Sequence, residues 1–306
     1  MNQFFEIIRH RSFRWTIILT LVYLGVGFLF LKLGLADYGL ILFVLLPFTL
    51  GLVIGKMEKQ KWAALGFLVG ILIFLGLLIA SALEGLICVL MATPIVIPLV
   101  WLGTFASKIL TRKRISKSQE NLNASLIPLL FVLLGAPIEK FLFLNHPRNE
   151  EVRTTRIYGF PPEIVYDMLK SIDTLVAEKS FLMKIGLPVP EKCTLEKEEI
   201  GGLRTCHFNS GAITEKITEF KRGEILRMSV IDDTQIGLTW IRFKEADYYF
   251  EAVNNDSCKL TRLTTYSSVL SPEFYWEFLE KMAIEQEHRY VLDNLANDLL
   301  KKFGGN

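Results

Sequence analysis

Long apolar runs in the first 144 residues constrain this chain more than any other feature of its sequence. A helix needs about 20 apolar residues to cross the roughly 30 Å hydrocarbon core of a bilayer. Five runs approach or reach that length, and the pattern predicts an α-helical transmembrane bundle of about five spans. The runs are Trp15–Leu35, Tyr38–Gly55, Trp62–Leu83, Leu86–Phe105 and Ala124–Leu144.

Three clusters of basic residues lie before the first run, between the second and third runs, and between the fourth and fifth runs, so that all three fall on one side of the membrane if every run crosses. Under the positive-inside rule they predict a cytoplasmic N-terminus and, after five crossings, an extracytoplasmic C-terminal part. The fifth run is the weakest, because Glu139 and Lys140 interrupt it. If that run lies in the interface instead, the C-terminal part is cytoplasmic. The three basic clusters are Arg9, Arg11 and Arg14; Lys56, Lys59 and Lys61; and Lys108, Arg112, Lys113, Arg114 and Lys117.

The centres of the first four runs hold no ionisable residue, although such residues are the usual sign of an ion or substrate pathway. Pro94 and Pro98 interrupt the fourth run. They are compatible with a substrate site built on a broken helix or with a kink that neighbouring helices accommodate.

Charge divides the chain into two unlike parts. Up to Asn145 there are 13 Lys and Arg against 6 Asp and Glu, whereas the remainder holds 21 against 26. We therefore predict a multi-pass transmembrane domain over 1–146 and a second domain over 147–306. Neither part carries a basic patch interleaved with aromatic residues, which argues against nucleic acid as a partner.

The cysteines do not have the spacing of metal ligands, and we predict no metal and no cofactor. Cys193 and Cys206 lie in segments that can face each other across a hairpin. The register of that hairpin is uncertain by two residues from sequence, so a disulfide between them stays open.

After Val152 the pattern changes to that of an α+β domain. It reads as one strand, a helix after Pro161 and Pro162, a second short helix near Asp173–Ile185, and about six antiparallel strands. A helix from Pro272 to about Phe303 closes the chain. About 30 helical residues span roughly 45 Å, enough to cover one face of a curved sheet. A cavity between such a sheet and helix is typical of small-molecule sites. The strand segments are 193–200, 203–209, 212–220, 224–231, 246–253 and 259–269.

This C-terminal part resembles the START-like or SRPBCC helix-grip superfamily, in its polyketide cyclase/dehydrase and lipid-transport branch. The likeness rests on "IYGFPPEIVYDML", "GLRTCHFNSGAITEKITEF", "TRLTTYSSVLSPEFYW" and "EHRYVLDNLANDLL". It covers about 150–306 and leaves the apolar part outside. It implies a curved sheet around a long helix, with a deep pocket for a hydrophobic or amphipathic ligand.

The stretch "LRTCHFNSGAITEKITEF" predicts a hairpin whose inward face would line that pocket. A turn centred on Ser210 and Gly211 pairs Asn209 with Ala212, which places Arg204 and Glu215 diagonally on the inward face. An unpaired charge inside a protein is costly, so we expect these two to pair with each other or with the ligand. The alternative is an ion pair at the sheet margin. The inward face comprises Arg204, Cys206, Phe208, Ile213, Glu215 and Ile217.

Four further residues are predicted to line the pocket: Tyr266 of the last strand, and Phe278, Met282 and His288 of the final helix. The helical residues belong to a stripe that also fits a plain core contact, and an ordinary buried histidine is the alternative for His288. The full stripe is Phe274, Phe278, Met282, His288, Leu292, Leu295 and Leu299.

These residues favour a membrane-tethered binder of a lipid or other hydrophobic small molecule. No catalytic residue is assigned, because His207 and His288 cannot be brought together and no nucleophile motif is present. Two alternatives stay open. One is a cyclase/dehydrase-type enzyme in which Glu215 or Tyr266 assists, and the other is an interaction or sensor module whose interior is filled by side chains.

Overall fold

The computed structural model describes residues 2–80, 86–112, 122–143, 147–235 and 240–304. The chain divides into two compact units, and the main division falls between His146 and Pro147. The first unit comprises Met1–Glu84, Cys88–His146 and Val269–Phe274, and the second comprises Gly85–Ile87, Pro147–Ser268 and Tyr275–Asn306.

The first unit is helical. Its elements are α1 (Asn2–Arg9), α2 (Arg11–Lys32), a π-helical turn (Ile41–Leu45) that runs into α3 (Leu46–Ile54), α4 (Gln60–Ala80), α5 (Leu86–Arg112) and α6 (Leu122–Phe143).

Within the described residues, three helical stretches are long and apolar enough to cross a membrane: Arg11–Lys32, Gln60–Leu78 and Leu90–Leu110. The helix over the second predicted run, Ile41–Ile54, is shorter. Its 14 residues span about 21 Å, less than the hydrocarbon core. The helical nature of the first part is thus established, whereas the five spans and their insertion into a membrane stay predictions.

Two glycines set the contact between α3 and α5. A Cβ atom added to Gly51 would lie 2.1 Å from the carbonyl oxygen of Val100, and one on Gly103 would lie 2.1 Å from that of Phe48. No side chain fits at either position, so the two helix backbones touch directly. Such small-residue contacts are how apolar helices associate without a hydrophobic driving force.

The polar pair that interrupts the fifth run binds free backbone groups of other helices. Glu139 accepts hydrogen bonds from the N–H groups of Leu40 and Ile41, at 2.8 and 3.0 Å. Lys140 donates to the carbonyl of Gly34 at 2.7 Å. A carboxylate at a helix start and an ammonium just past a helix end both suit the backbone charges there.

The second unit is one antiparallel sheet and three helices. The strands lie in the order β1-β7-β6-β5-β4-β3-β2. They are β1 (Arg148–Tyr158), β2 (Pro190–Leu195), β3 (Leu203–Phe208), β4 (Gly211–Lys221), β5 (Ile225–Asp233), β6 (Ile241–Asn254) and β7 (Ser257–Ser268). The helices are α7 (Pro162–Leu169), α8 (Phe181–Lys184) and α9 (Glu273–Phe303).

This curved sheet with a long C-terminal helix fits the predicted helix-grip architecture. The second half of α9 closes the core, where Val291, Leu292, Leu295 and Leu299 pack with apolar residues of the sheet and α7. The hydroxyl of Tyr158 in β1 donates to the carbonyl of Leu292 at 2.9 Å, which joins the first strand to this helix.

The predicted helix at Asp173–Ile185 is wrong over most of its length, since only Phe181–Lys184 is helical. Its first part runs along the edge strand instead. The N–H of Ile172 donates to Cys193 and that of Leu175 donates to Glu191, both at 2.8 Å. Backbone donors used by a strand cannot serve a helix, so the tertiary contact overrides the local helical preference.

The hairpin register is also corrected. Its two-residue loop is Asn209–Ser210 and not Ser210–Gly211, so Phe208 pairs with Gly211 and Arg204 stands directly opposite Glu215. Asn209 is drawn toward β2, because its side-chain oxygen accepts the N–H of Val189 at 2.9 Å. The slip is two residues, and it therefore leaves the predicted inward face unchanged.

Candidate functional site

An ion pair lies inside the second unit, between the sheet and its helices. The guanidinium of Arg204 in β3 donates to the carboxylate of Glu215 in β4 at 2.8 Å. Arg204 is 1% exposed, and it also donates to the carbonyls of Lys170 and Leu169 at the end of α7, at 3.2 and 3.5 Å. A cation there satisfies carbonyls that the helix leaves free. The expected pairing of Arg204 with Glu215 is confirmed.

A second ion pair joins the sheet to the long helix. Arg262 in β7 donates to both carboxylate oxygens of Glu287 in α9, at 2.8 and 3.2 Å. Both contacts use the terminal nitrogens of the guanidinium. The Nε of Arg262 is buried and has no hydrogen-bond partner among the residues that the structure describes. Within that part of the chain, this donor meets no acceptor.

The two pairs form one electrostatic group, which we call the charged quartet: Arg204, Glu215, Arg262 and Glu287. Both guanidinium groups lie over the ring of Tyr248, with centroid distances of 5.8 and 5.6 Å. An aromatic face attracts cations, which lets two like charges share this space.

Burial and neighbouring charges have opposite effects on the pKa values of Arg204 and Glu287. Burial is the largest single effect on Arg204 and disfavours its charged form, but the charge and hydrogen bond of Glu215 together with Tyr248 outweigh it, and the pKa of Arg204 is raised. Burial also raises the pKa of the Glu287 carboxyl, against the lowering effect of Arg262. The quartet is charge-balanced as a whole, because its two guanidinium groups face two carboxylates.

His288 stands beside the quartet on α9 and is fully buried. Its Nδ1 is hydrogen-bonded to the hydroxyl of Thr154 in β1 at 2.9 Å, and its Nε2 to that of Thr264 in β7 at 2.8 Å. Burial, and then the charge of Arg262, hold the pKa of His288 well below its usual value. The imidazole is therefore neutral, with one nitrogen donating and the other accepting.

A separate polar cluster surrounds Glu280 near the start of α9. The Glu280 carboxylate accepts hydrogen bonds from Arg148 at 2.6 Å, from Ser268 at 2.5 Å and from Tyr266 at 3.3 Å. Burial raises the pKa of this carboxyl, while the hydrogen bond from Ser268 and the charge of Arg148 oppose the rise. The cluster fastens the beginning of β1 and the end of β7 to the helix.

The predicted inward face of the hairpin is found inside the domain. Ile213 and Ile217 are buried beside Glu215 on β4, and Phe208 at the loop end is half-buried. Cys206 is bonded to Cys193 of the neighbouring strand. The disulfide left open by the sequence is therefore present, and it occupies the position where Cys206 was expected to face a ligand.

Of the remaining predicted residues, some lie inside the domain and one lies at its surface. Tyr266 and His288 lie in the interior, and Met282 is partly buried. Phe278 is 68% exposed and does not line the interior, so its assignment is corrected. The predicted apolar stripe begins with Phe274, Phe278 and Met282. The buried face of α9 begins instead with Trp276 and Glu280, so the prediction is out of phase there.

Sequence reasoning missed Tyr248, Arg262, Glu280 and Glu287 as interior polar residues. A signal was present in α9, because Glu280 and Glu287 are seven residues apart and so share a helix face with Trp276 and Val291. The signal was masked by charge, since Glu is almost never fully buried unless it is paired.

Across the described parts of the chain, no three His, Cys, Asp or Glu residues are grouped as a metal site requires. The neutral His288 is held between two threonine hydroxyls, one on each ring nitrogen. Neither nitrogen is then left for the third, orienting group that a catalytic triad requires. What the quartet offers is fixed charge and one free donor in a dry environment.

No protein-family model and no curated protein matches this sequence. Solved structures similar to its C-terminal half include ZhuI aromatase/cyclase from Streptomyces sp. R1128, which is 13% identical. That match covers 52% of this chain and 99% of the other, with a TM-score of 0.38.

Truncated norcoclaurine synthase from Thalictrum flavum is 10% identical, with 51% of this chain and 96% of the other covered and a TM-score of 0.35. A protein of Chromobacterium violaceum is 16% identical, with 48% and 94% covered and a TM-score of 0.34. At these identities the matches concern the course of the backbone and carry no residue roles.

Proposed function

We propose that the C-terminal domain binds a small amphipathic molecule between its sheet and α9, and that the N-terminal helices hold this domain at a membrane. The observation that carries the proposal is the charged quartet, with the buried and unpartnered Nε of Arg262. A donor in that state calls for an acceptor oxygen from a ligand.

The energetics of the quartet support a role beyond packing. Taking charges out of water costs several kcal/mol per ion, and a buried ion pair is often no more stable than apolar residues of the same volume. A domain that needed only a core would gain from replacing the four groups. Their retention is explained if they position a polar head group, which is the common pattern of a few polar groups in an apolar site.

The two ion pairs differ in their access to a ligand. The side chains of Arg262 and Glu287 are 11% and 16% exposed, whereas those of Arg204 and Glu215 are 2% and 8% exposed. The head group therefore meets the Arg262–Glu287 pair. Ile213 and Ile217 share the inward face with the quartet and offer apolar contact to the rest of the molecule.

The test is native mass spectrometry of the full chain in detergent. We expect a co-purifying small molecule, or binding of oleate from a panel that includes oleyl alcohol and lysophosphatidylcholine. Arg262→Gln is expected to weaken binding at least tenfold. Arg227→Gln is the matched control, because Arg227 lies on β5 with its side chain 43% exposed and pairs with Glu219 at the surface. An empty protein that binds none of the panel would reject the binding function and favour the interaction module.

We propose further that the C-terminal domain lies outside the cytoplasm. The basic clusters flanking the apolar runs support this side, as does the Cys193–Cys206 bond, since stable disulfides are typical of oxidising compartments. The test uses two exposed lysines. In intact cells, a membrane-impermeant maleimide should label Lys216→Cys, whereas Lys59→Cys should react only after lysis. The opposite result would place the domain in the cytoplasm.

A further inference from the structure

Two phenylalanines at the start of α9 are exposed on one side of the helix. Phe274 is 81% exposed and Phe278 is 68% exposed. They are four residues apart and so stand one above the other. Trp276 and Glu280, on the other side of the same turns, are buried. The first two turns of α9 thus carry two exposed apolar side chains on one face of the helix.

The covalent chain ties these turns to the end of the last apolar helix. α6 ends at Phe143 and β1 begins at Arg148. Five residues of chain reach at most about 18 Å. Arg148 in turn binds Glu280 through an ion pair of 2.6 Å, in the second turn of α9. The beginning of α9 is therefore held on a short tether from a helix that the membrane proposal places at the bilayer.

We propose that Phe274 and Phe278 insert into the interfacial region of the bilayer, an inference that rests on the membrane part of the proposed function. Exposed aromatic rings favour the boundary between head groups and acyl chains. The neighbouring Glu277 pairs with Lys281 at 2.6 Å. Insertion places the helix that covers the quartet beside the lipid phase, where amphipathic molecules are concentrated.

The experiment is photo-crosslinking of the full chain in phosphatidylcholine nanodiscs. Benzoylphenylalanine replaces one residue at a time at positions 274, 278, 181 and 72. Leu72, in the middle of α4 and 60% exposed, reports membrane embedding. Phe181 is the matched control, because it is 73% exposed in the same C-terminal domain as Phe278.

Phe181 belongs to a segment held against a later part of α9. The Tyr290 hydroxyl donates to the carbonyl of Leu175 at 3.0 Å, and Tyr290 is 12 residues, or about 18 Å, beyond Phe278 along the helix. We expect a mass increase of one phosphatidylcholine at 72, 274 and 278, with at least tenfold less at 181.

Each other outcome overturns the inference in a distinguishable way. Lipid adducts at 72 without adducts at 274 and 278 would support the membrane proposal but contradict the insertion of α9. Absence of adducts at all positions would remove both. Equal yields at 181 and 278 would show that lipid contact is not specific to this face. All four side chains are exposed, so the substitutions are compatible with folding.

Discussion

The buried threonines of α2 and the buried charged groups of the C-terminal domain are hydrogen-bonded in different ways. In the helical unit, the hydroxyls of Thr16 and Thr20 donate to carbonyls four residues earlier in the same helix, at 2.7 and 2.8 Å. In the C-terminal domain, buried polar groups pair between different elements. Arg204 and Glu215 join two strands, and His288 joins α9 to both β1 and β7.

The difference determines what a substitution leaves behind. A helical carbonyl that loses an extra hydroxyl donor keeps its own backbone hydrogen bond. A buried guanidinium that loses its carboxylate keeps a charge without a partner, and that is among the most costly defects a core can have. The interior of the C-terminal domain should therefore be sensitive to single polar substitutions, and the helical interior should tolerate them.

The largest expected effect is that of Glu215→Leu. It leaves the Arg204 guanidinium buried and uncompensated, and we expect the free energy of unfolding to fall by about 3–5 kcal/mol. The measurement is denaturant unfolding of the full chain in detergent, followed by near-UV circular dichroism.

Two further variants sharpen this result. The double variant Arg204→Met/Glu215→Leu should recover most of the loss, because no charge is then left unpaired. Arg227→Ala removes an exposed arginine of the same sheet and should cost less than about 1 kcal/mol. A Glu215→Leu effect as small as that of Arg227→Ala would break the comparison between buried and exposed pairs.

An intermediate effect is expected from pH, through His288. Burial holds the pKa of His288 well below its usual value. As the pH falls through about 6.5, this imidazole therefore takes up a proton in the unfolded chain but stays neutral in the folded chain. The stability that His288 contributes is therefore present above pH 6.5 and is lost as the pH falls toward the folded pKa. The loss is at most about 1.4 kcal/mol per pH unit.

The measurement compares unfolding free energies between pH 7 and pH 5 for the wild type and for His288→Asn. The variant should show the flatter profile over this window. His207→Asn is the matched control, since it replaces a histidine on the exposed side of β3. Parallel profiles for the wild type and His288→Asn would mean that this histidine is accessible to protons in the folded chain.

The smallest effect is expected from Thr20→Val in α2. Thr20 is fully buried, and its hydroxyl donates to the carbonyl of Thr16 in its own helix. Valine keeps the shape and leaves no group without a partner, so the melting temperature of the full chain in detergent should change by less than about 2 °C. A loss comparable with that of Glu215→Leu would show that this hydroxyl also serves a neighbouring helix.

Pattern and chain length were sufficient for much of the fold. The α+β order of the C-terminal part and the long final helix follow from alternation and from helical spacing, which are local properties of the sequence. The same reasoning failed at Asp173–Ile185, where contact with β2 decided the backbone conformation. It also failed at the hairpin loop, where the side chain of Asn209 accepts a hydrogen bond from Val189, the residue just before β2.

The candidate site was predictable only in part, because some of its contacts join residues that are far apart in the sequence. Arg204 and Glu215 could be assigned to one face, because a slip of two residues does not change the side on which a strand residue lies. Arg262 and Glu287 are 25 residues apart on a strand and a helix. No local spacing relates them. Phe278 was misassigned because an apolar residue in an amphipathic helix was taken to face the core. The acidic residues Glu280 and Glu287, which lie seven positions apart on the face that is in fact buried, were not assigned to the interior.

By itself the sequence determined the division into an apolar helical part and a mixed α+β part, because burial of apolar surface depends on composition and period. It also determined that Arg204 and Glu215 share an inward face. Only the tertiary structure decided that these two pair directly, that Cys193 and Cys206 are joined, and that Arg262, Glu287 and His288 meet beside them. Those outcomes depend on the register between strands and on the phase of α9, and register and phase are fixed by packing across elements and not within them.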